Sequence, residues 1–358
     1  MAKVLALVTD AFGAGYGIAQ YNRDFLAALF SAGATIVVLP RQAPYPVLPP
    51  SGIEQRSPLQ SKLRYSVAAI LETLRMKPDI VFCGHLYMAP IAWIVARIAR
   101  APFVLQTHGI EAWSRPSPLR RWSCEQAAVI FSVSRHTRGR ILDWAAIPPE
   151  RAVVVPNTFD ECFTPGDHST LRRDWNLEGK KVLLTVGRMS PTERYKGQDR
   201  IIEAIPEICS AGHDVVYVIA GGGDDRSRLE LLALQTGVAD RVRFVGLLTR
   251  EQLIQAYRLA DLFVMPSTAE GFGIAFLEAM ACGTPALGIQ AAGSRDALAD
   301  GKLGILADEN HLAQSISEAL SRPRPNPADL HQAVYNCFGR PLFKSRIAAI
   351  FHRFLQPA

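Results

Sequence analysis

Short runs of β-branched and other apolar residues alternate along this chain with stretches of helical period. In the first half, residues 3–8, 35–39, 79–83, 103–107, 129–132 and 152–155 predict strands. Residues 18–30 predict a helix with Tyr21, Phe25, Leu26 and Leu29 on one face, and 63–76 and 87–98 predict two more. Segment 40–58 is rich in proline and reads as a long loop. The strand runs are apolar throughout rather than alternating, which marks strands covered on both faces in a parallel sheet.

The pattern restarts after Pro165. Strands are expected at 181–186, 215–220, 242–245, 262–266 and 285–288. Helices are expected at 199–210, 226–235, 249–258, with Thr249 as N-cap, and 274–282, and 341–355 is one more. The fold class expected is therefore α/β, with two Rossmann-like halves meeting near 157–165. Ligands of such sheets bind at the carboxyl ends of the strands, so a site in a cleft between two facing halves is expected.

Composition narrows this picture without changing it. The 358 residues are 49% apolar and 20% charged, enough for two cored domains and unlike a disordered chain. No apolar run approaches the roughly 20 residues of a membrane helix. Residues 1–10 are too short for a signal-peptide core, so a cytoplasmic protein is expected. The six cysteines, Cys83, Cys124, Cys162, Cys209, Cys282 and Cys337, form no CxxC pair and are expected reduced and buried. Charge is divided unevenly: residues 1–157 hold 17 Lys/Arg against 9 Asp/Glu, and residues 158–358 hold 22 against 24. The basic half suits an anionic partner such as a membrane surface or a polyphosphate.

Four groups of residues carry candidate chemistry. The first is Glu270-Gly271-Phe272-Gly273-Ile274, running on to Glu278, between a strand and a helix. Gly271 and Gly273 admit a close backbone approach, and the helix start presents amides and a positive dipole end to a phosphate. Glu278 is the one charged residue of an otherwise apolar helix and calls for a specific partner, such as sugar hydroxyls. The second group is Gly187-Arg188, at a strand end, with Lys196-Gly197. Arginine grips phosphate bidentately and lysine adds a point charge, so the pair can neutralise a diphosphate without a metal. The third is the Gly-rich turn Gly13-Ala14-Gly15-Tyr16-Gly17. It departs from G-x-G-x-x-G and no acid closes the second strand, which speaks against a dinucleotide oxidoreductase. The fourth is Gln106-Thr107-His108-Gly109, with a histidine at a strand end. No other histidine has a comparable placement along the sequence. Asp224-Asp225 reads as a solvated turn, and no metal motif is found.

Taken together and in this order, these motifs resemble the retaining nucleotide-sugar glycosyltransferases of family 4, which have the GT-B fold. The resemblance implies an acceptor-binding domain at 1–160, with the last helix, 341–358, packing back on it. It implies a nucleotide-sugar domain at 161–340. Arg188 and Lys196 would bind the donor diphosphate, and Glu270 the hydroxyls of the donor sugar. The amides of Phe272, Gly273 and Ile274 would meet sugar or phosphate. Glu278 would hold the ribose, and His108 would lie against the donor sugar. Gly187, Gly222 and Val245 would frame the nucleotide, and Gly13, Gly15 and Gly17 would approach the donor. Tyr16 stands where many members have glycine.

The expected reaction moves a hexose, with mannose from GDP-mannose the preferred donor, onto a glycan or lipid-linked sugar in surface polysaccharide synthesis. A UDP-sugar donor is the alternative, and a binding protein without turnover is another. A sugar phosphorylase is disfavoured by the short chain and the lack of a cofactor-lysine motif. No cofactor, metal or nucleic acid is expected. Clusters Lys62/Arg64, Arg115/Arg120/Arg121 and Arg135/Arg138/Arg140, with Trp113 and Trp122, predict peripheral attachment to an anionic membrane.

Overall fold

The computed structural model describes residues 2–13 and 17–355, the side chains of 353–355 excepted. It divides into two compact units, Met1–Thr158 with Arg340–Ala358, and Phe159–Gly339.

The first unit holds a seven-stranded parallel sheet. Its strands are β1 (Lys3–Val8), β2 (Thr35–Pro40), β3 (Ile53–Gln55), β4 (Ile80–Cys83), β5 (Phe103–Thr107), β6 (Val129–Ser132) and β7 (Ala152–Val154), in the spatial order 3-2-1-4-5-6-7. The order reverses beside β1, the place where such sheets bind ligands. Val4–Val8 and Ile80–Cys83 are fully enclosed, as their unbroken apolar sequences require. One face is covered by the helices Lys62–Met76, Ala89–Ala99 and Pro118–Glu125, which share a core with Leu5, Val81 and Leu105. Against the other lies the helix Ile18–Ser31, and the terminal helix Arg340–Leu355 packs on it. There Phe343 meets the Tyr21 ring edge-on at 5.7 Å, and Arg340 pairs with Asp24 at 3.1 Å.

The second unit has a six-stranded parallel sheet of β8 (Lys181–Val186), β9 (Val215–Ala220), β10 (Val242–Gly246), β11 (Leu262–Met265), β12 (Ala286–Ile289) and β13 (Ile305–Ala307), in the order 10-9-8-11-12-13. Its switch point falls between β8 and β11, the strands that precede Arg188 and Glu270. The helix Arg250–Leu259 opens with a capping box in which Thr249 and Gln252 satisfy each other's amides.

Several expectations are corrected. The segment 40–58 is not all loop: Ile53–Gln55 pairs in parallel with β2. Residues 87–98 do not form one helix, because Pro90 at the start of Ala89–Ala99 separates that helix from the tight turn Leu86–Met88. Helices Pro118–Glu125, Arg135–Leu142, Leu312–Ser321 and Pro327–Phe338, and strand β13, had no counterpart in the hydrophobic pattern. All six cysteines are free, but Cys162 and Cys337 are exposed rather than buried. Among the described residues no helix is long and apolar enough to cross a membrane.

Candidate functional site

In the second unit the chain leaves β8 at Gly187 and runs alongside the turn that follows β9. The Gly187 amide donates to Ala220 O and the Met189 amide to Gly222 O, both at 2.9 Å. Backbones approach so closely here that a Cβ on Gly221 would stand 2.1 Å from Gly187 O. That position also has φ +138°, so only glycine fits. Gly222 therefore acts through its carbonyl, fixing the residues around Arg188.

Arg188 projects outward with its side chain 75% exposed and forms an ion pair with Glu193. Lys196 approaches the same carboxylate, with Nζ 3.2 Å from Glu193 Oε2. Its stem lies over Gly187, in the space a side chain there would contact. Glu193 sits in the turn Pro191–Lys196, which Ser190 caps and Gly197 closes in the left-handed region. Two cations thus converge on one carboxylate at the carboxyl end of β8. Arg194, between them in sequence, turns away to Asp225 at 2.9 Å.

The Thr268 amide donates to Tyr195 O at 2.9 Å, tying the segment after β11 to this turn and bringing Glu270 to it. Burial raises the Glu270 pKa; the charge of Lys196 opposes that shift and Glu193 adds to it. Burial, with the charges of Glu193 and Glu270, pushes the Tyr195 phenol up to about 12. Among the described residues no side chain donates a hydrogen bond to the Glu270 carboxylate. Its backbone carbonyl instead accepts from the Gly293 amide at 2.8 Å. Gly271 is held there too: a Cβ on Gly293 would lie 2.1 Å from Gly271 O. Gly273 has φ +97° and starts the helix Ile274–Ala281. The Phe272 side chain is buried against Phe338. In the first helical turn the Phe276 amide donates to Gly273 O at 3.1 Å, whereas the Ile274 amide has no intrahelical partner.

One turn further on, Glu278 accepts a hydrogen bond from the Tyr257 hydroxyl at 2.8 Å. Burial pushes its pKa up to about 7, against the lowering effects of Tyr257 and Arg250. Val245 is the extra residue of a bulge in β10, where the pairing with β9 slips between Phe244 and Gly246. Arg243 beside it is taken by the Trp175 carbonyl at 2.5 Å and has a structural role.

The first unit assembles a second polar group at the carboxyl ends of β1, β4 and β5. His108 Nε2 lies 2.9 Å from Gly84 O, and the His108 amide donates to Glu111. Burial lowers its pKa to about 4, so the ring is neutral at neutral pH. His108 is not the lone strand-end histidine that the sequence suggested. His85, following β4, has its ring centre 6.0 Å away and is also pushed down to about 4 by burial. The Tyr21 ring meets His108 edge-on at 5.3 Å. Asn22 donates to the Asp10 carbonyl at 2.8 Å. Asp10 Oδ1, Tyr21 OH and Asn22 Oδ1 are buried without a hydrogen-bond partner among the described residues, a state that buried polar atoms rarely keep. A Cβ on Gly13 would collide with the Asp10 carboxylate at 2.5 Å, and Gly17 takes φ +63° to start Ile18–Ser31. Gly15, with Ala14 and Tyr16, lies outside the described residues.

Asp10, Tyr21, Asn22, His85 and Glu193 were missed in the sequence. The available signals were an acid just before the Gly-rich turn and polar residues within a helix face that also carries Phe25. Asp225 also departs from expectation: it is buried, not solvated, and pairs with Arg194 and with Arg228 at 2.7 Å. Among the described residues no cluster of three or more His, Cys, Asp or Glu could hold a metal ion.

Residues 16–161 match the family described as "Glycosyltransferase Family 4", and residues 167–336 match "Glycosyl transferases group 1". A GDP-mannose-dependent alpha-(1-6)-phosphatidylinositol monomannoside mannosyltransferase of Mycolicibacterium smegmatis is 30% identical over 280 residues, 72% of each chain. A D-inositol 3-phosphate glycosyltransferase of Geodermatophilus obscurus is 31% identical over 72% of this chain and 63% of its own length. Among solved structures, Anabaena HepE in complex with UDP-glucose superposes with a TM-score of 0.78 at 21% identity, covering 99% of this chain and 100% of that one. WaaG, a glycosyltransferase of lipopolysaccharide biosynthesis, superposes with a TM-score of 0.68 at 18% identity over 97% and 99%.

Proposed function

Because the chain belongs to the glycosyltransferases of family 4, on the GT-B fold, we propose that it moves a hexose from a nucleoside diphosphate onto a glycan or lipid-linked sugar, retaining the anomeric configuration. The observation that carries this is the convergence of Arg188 and Lys196 on one carboxylate, beside Glu270 and the start of the helix Ile274–Ala281. A donor diphosphate replaces Glu193 as the anion between the two cations. Glu270 takes hydroxyls of the sugar, Glu278 takes the ribose, and the backbone near Gly187, Gly222 and Val245 frames the base.

As the sugar leaves, negative charge grows on the diphosphate, and Arg188, Lys196 and the helix amides stabilise it in place. The acceptor oxygen bonds to the anomeric carbon on the face the phosphate vacates. The carbon–oxygen bond to phosphate breaks, and the acceptor proton passes to the departing phosphate oxygen. On the first unit, Asp10, Tyr21 and Asn22 offer unpaired polar atoms to hydroxyls of a sugar acceptor. By family likeness, His108 is assigned to the donor sugar as a neutral hydrogen-bonding group.

The preferred donor is GDP-mannose, supported by the mycolicibacterial relative and by the likeness of Glu270–Ile274 to mannosyltransferases. A panel of GDP- and UDP-sugars, scored by released nucleoside diphosphate, tests the proposal. Release from a UDP-sugar alone would replace the donor, and no release from any would reject transfer.

The enzyme is expected to work without divalent metal, because two side-chain cations and a helix start meet the diphosphate. Full loss of activity in EDTA, restored by Mg²⁺ or Mn²⁺, would contradict this. Glu193 competes with the donor for both cations. Glu193→Gln is therefore expected to tighten nucleoside diphosphate binding by about fivefold, an ion-pair-sized effect of roughly 1 kcal/mol. Calorimetry with the free nucleoside as control reads it out, and unchanged or weaker diphosphate affinity would show that Glu193 orients the cations instead.

A further inference from the structure

The helix Lys62–Met76 faces the wrong way for an ordinary surface helix. Its small or polar-tipped residues Tyr65, Ala69 and Thr73 are turned into the core at 3%, 0% and 1% exposure. Ile70 and Met76 also pack on the core, but Leu63, Val67, Leu71 and Leu74 recur at helical spacing on the outer side, 48–74% exposed. A soluble surface helix keeps charge on that side, and a continuous apolar stripe marks a face with a partner.

The neighbouring helices expose apolar residues as well. Helices Ala89–Ala99 and Pro118–Glu125 pack beside it in sequence order over the same core. They leave Ile98 and Trp122 exposed by 41% and 43%. Lys62, Arg64, Arg75 and Lys77 rim the stripe, all exposed and with no carboxylate partner among the described residues. The one acid of the helix, Glu72, is already paired with Arg56 at 2.9 Å. With its terminal helix, this unit carries 21 Lys/Arg against 9 Asp/Glu, while the other carries 18 against 24.

We propose that the outer face of Lys62–Met76, with the adjoining helices, is a docking surface for an anionic lipid bilayer. Leucines at the centre enter the interfacial layer and the basic rim meets lipid phosphates. A second copy of this chain would bring one cationic rim against another, so charge favours lipid over self-association. The face keeps Lys62, Arg64 and Trp122 of the groups that the sequence suggested and drops others. Of the clusters named there, Arg138 bonds the Ala152 carbonyl at 2.7 Å, Arg140 the Trp113 carbonyl at 2.8 Å, and Arg121 pairs with Glu125 at 2.7 Å. Trp113 donates to Thr137 at 3.1 Å rather than facing outward freely.

The test is co-sedimentation of the full chain with phosphatidylcholine vesicles, with and without phosphatidylglycerol, at low and high salt. Binding is expected only with the anionic lipid and is weakened by salt. The double variant Leu63→Gln/Leu71→Gln is expected to lose at least about tenfold in vesicle affinity, because it removes buried apolar area. Its release of nucleoside diphosphate with a soluble acceptor stays unchanged. A control pair on the other unit, Leu231→Gln/Leu234→Gln, also removes exposed leucines and leaves vesicle binding intact. No binding to anionic vesicles at low salt overturns the proposal, as does equal loss in the control pair. A wild-type dimer that the Leu63/Leu71 variant dissociates, without vesicle binding, would assign the face to a second copy.

Discussion

Glu270→Gln and Lys196→Ala are each expected to lower turnover at least about a hundredfold while the second unit keeps its fold. Removing one preorganised contact to transition-state charge costs roughly 3–4 kcal/mol, and neither side chain has a structural task that would obscure it. The Glu270 carboxylate receives no hydrogen bond from a described side chain, and its loop is held by backbone bonds that glutamine leaves in place. Lys196 lies along Gly187 and forms its ion pair with Glu193, outside the apolar core, so alanine leaves space among polar groups rather than a cavity between packed side chains. Arg194, two residues before Lys196, is the contrast. It pairs with Asp225, whose pKa is lowered chiefly by Arg228 and also by Arg194. Arg194→Ala is expected to loosen that turn with a far smaller effect on turnover. Amide exchange in β8 and β11 checks folding, and single-turnover release of nucleoside diphosphate checks chemistry. Near-normal rates in folded Glu270 and Lys196 variants would sink the site assignment.

The sheet strands were legible because strands enclosed on both faces must be apolar throughout, and turns interrupt those runs at the right spacing. Helices Pro118–Glu125 and Arg135–Leu142 were not, because sequences such as Leu119-Arg120-Arg121-Trp122 carry too few inward apolar positions for a periodic signal. Strand β3 is three residues long within a proline-rich segment and pairs only through its backbone. Arg188, Lys196, Glu270 and Glu278 could be read because strand ends and helix starts fix where such residues lie. Glu193 could not: a carboxylate in a loop with two nearby cations gives no periodic or motif signal, and only the tight turn Pro191–Lys196 folds it between them. The His85–His108 pair spans 23 positions and exists because β4 and β5 are neighbours in the sheet. The Lys62–Met76 helix misleads in the opposite direction, since side-chain size alone would place its leucines inward.

Between pH about 4.5 and about 7 the second unit, with no nucleotide bound, is expected to lose stability on the order of 3 kcal/mol from Glu278 alone. The sign follows from the direction of the shift. Burial raises the folded-state pKa from 4.5 to about 7, whereas an unfolded chain leaves the carboxyl near its ordinary value. Within this window the folded protein holds a proton that the unfolded chain has released. The stabilisation is complete below the unfolded value, declines as pH rises, and is gone above about 7. Glu278→Gln, which carries no proton to lose, removes this slope but keeps a hydrogen bond within reach of Tyr257. Native-state exchange of core amides in β8 and β11, followed across the window, isolates this unit from the other. A nucleoside diphosphate whose ribose hydroxyls donate to Glu278 favours the ionised form, so its binding releases a proton and tightens as pH rises through the window. Parallel pH profiles for the wild type and Glu278→Gln would show that Glu278 titrates near its ordinary value. A wild-type slope that nucleoside diphosphate leaves unchanged would separate Glu278 from the ribose.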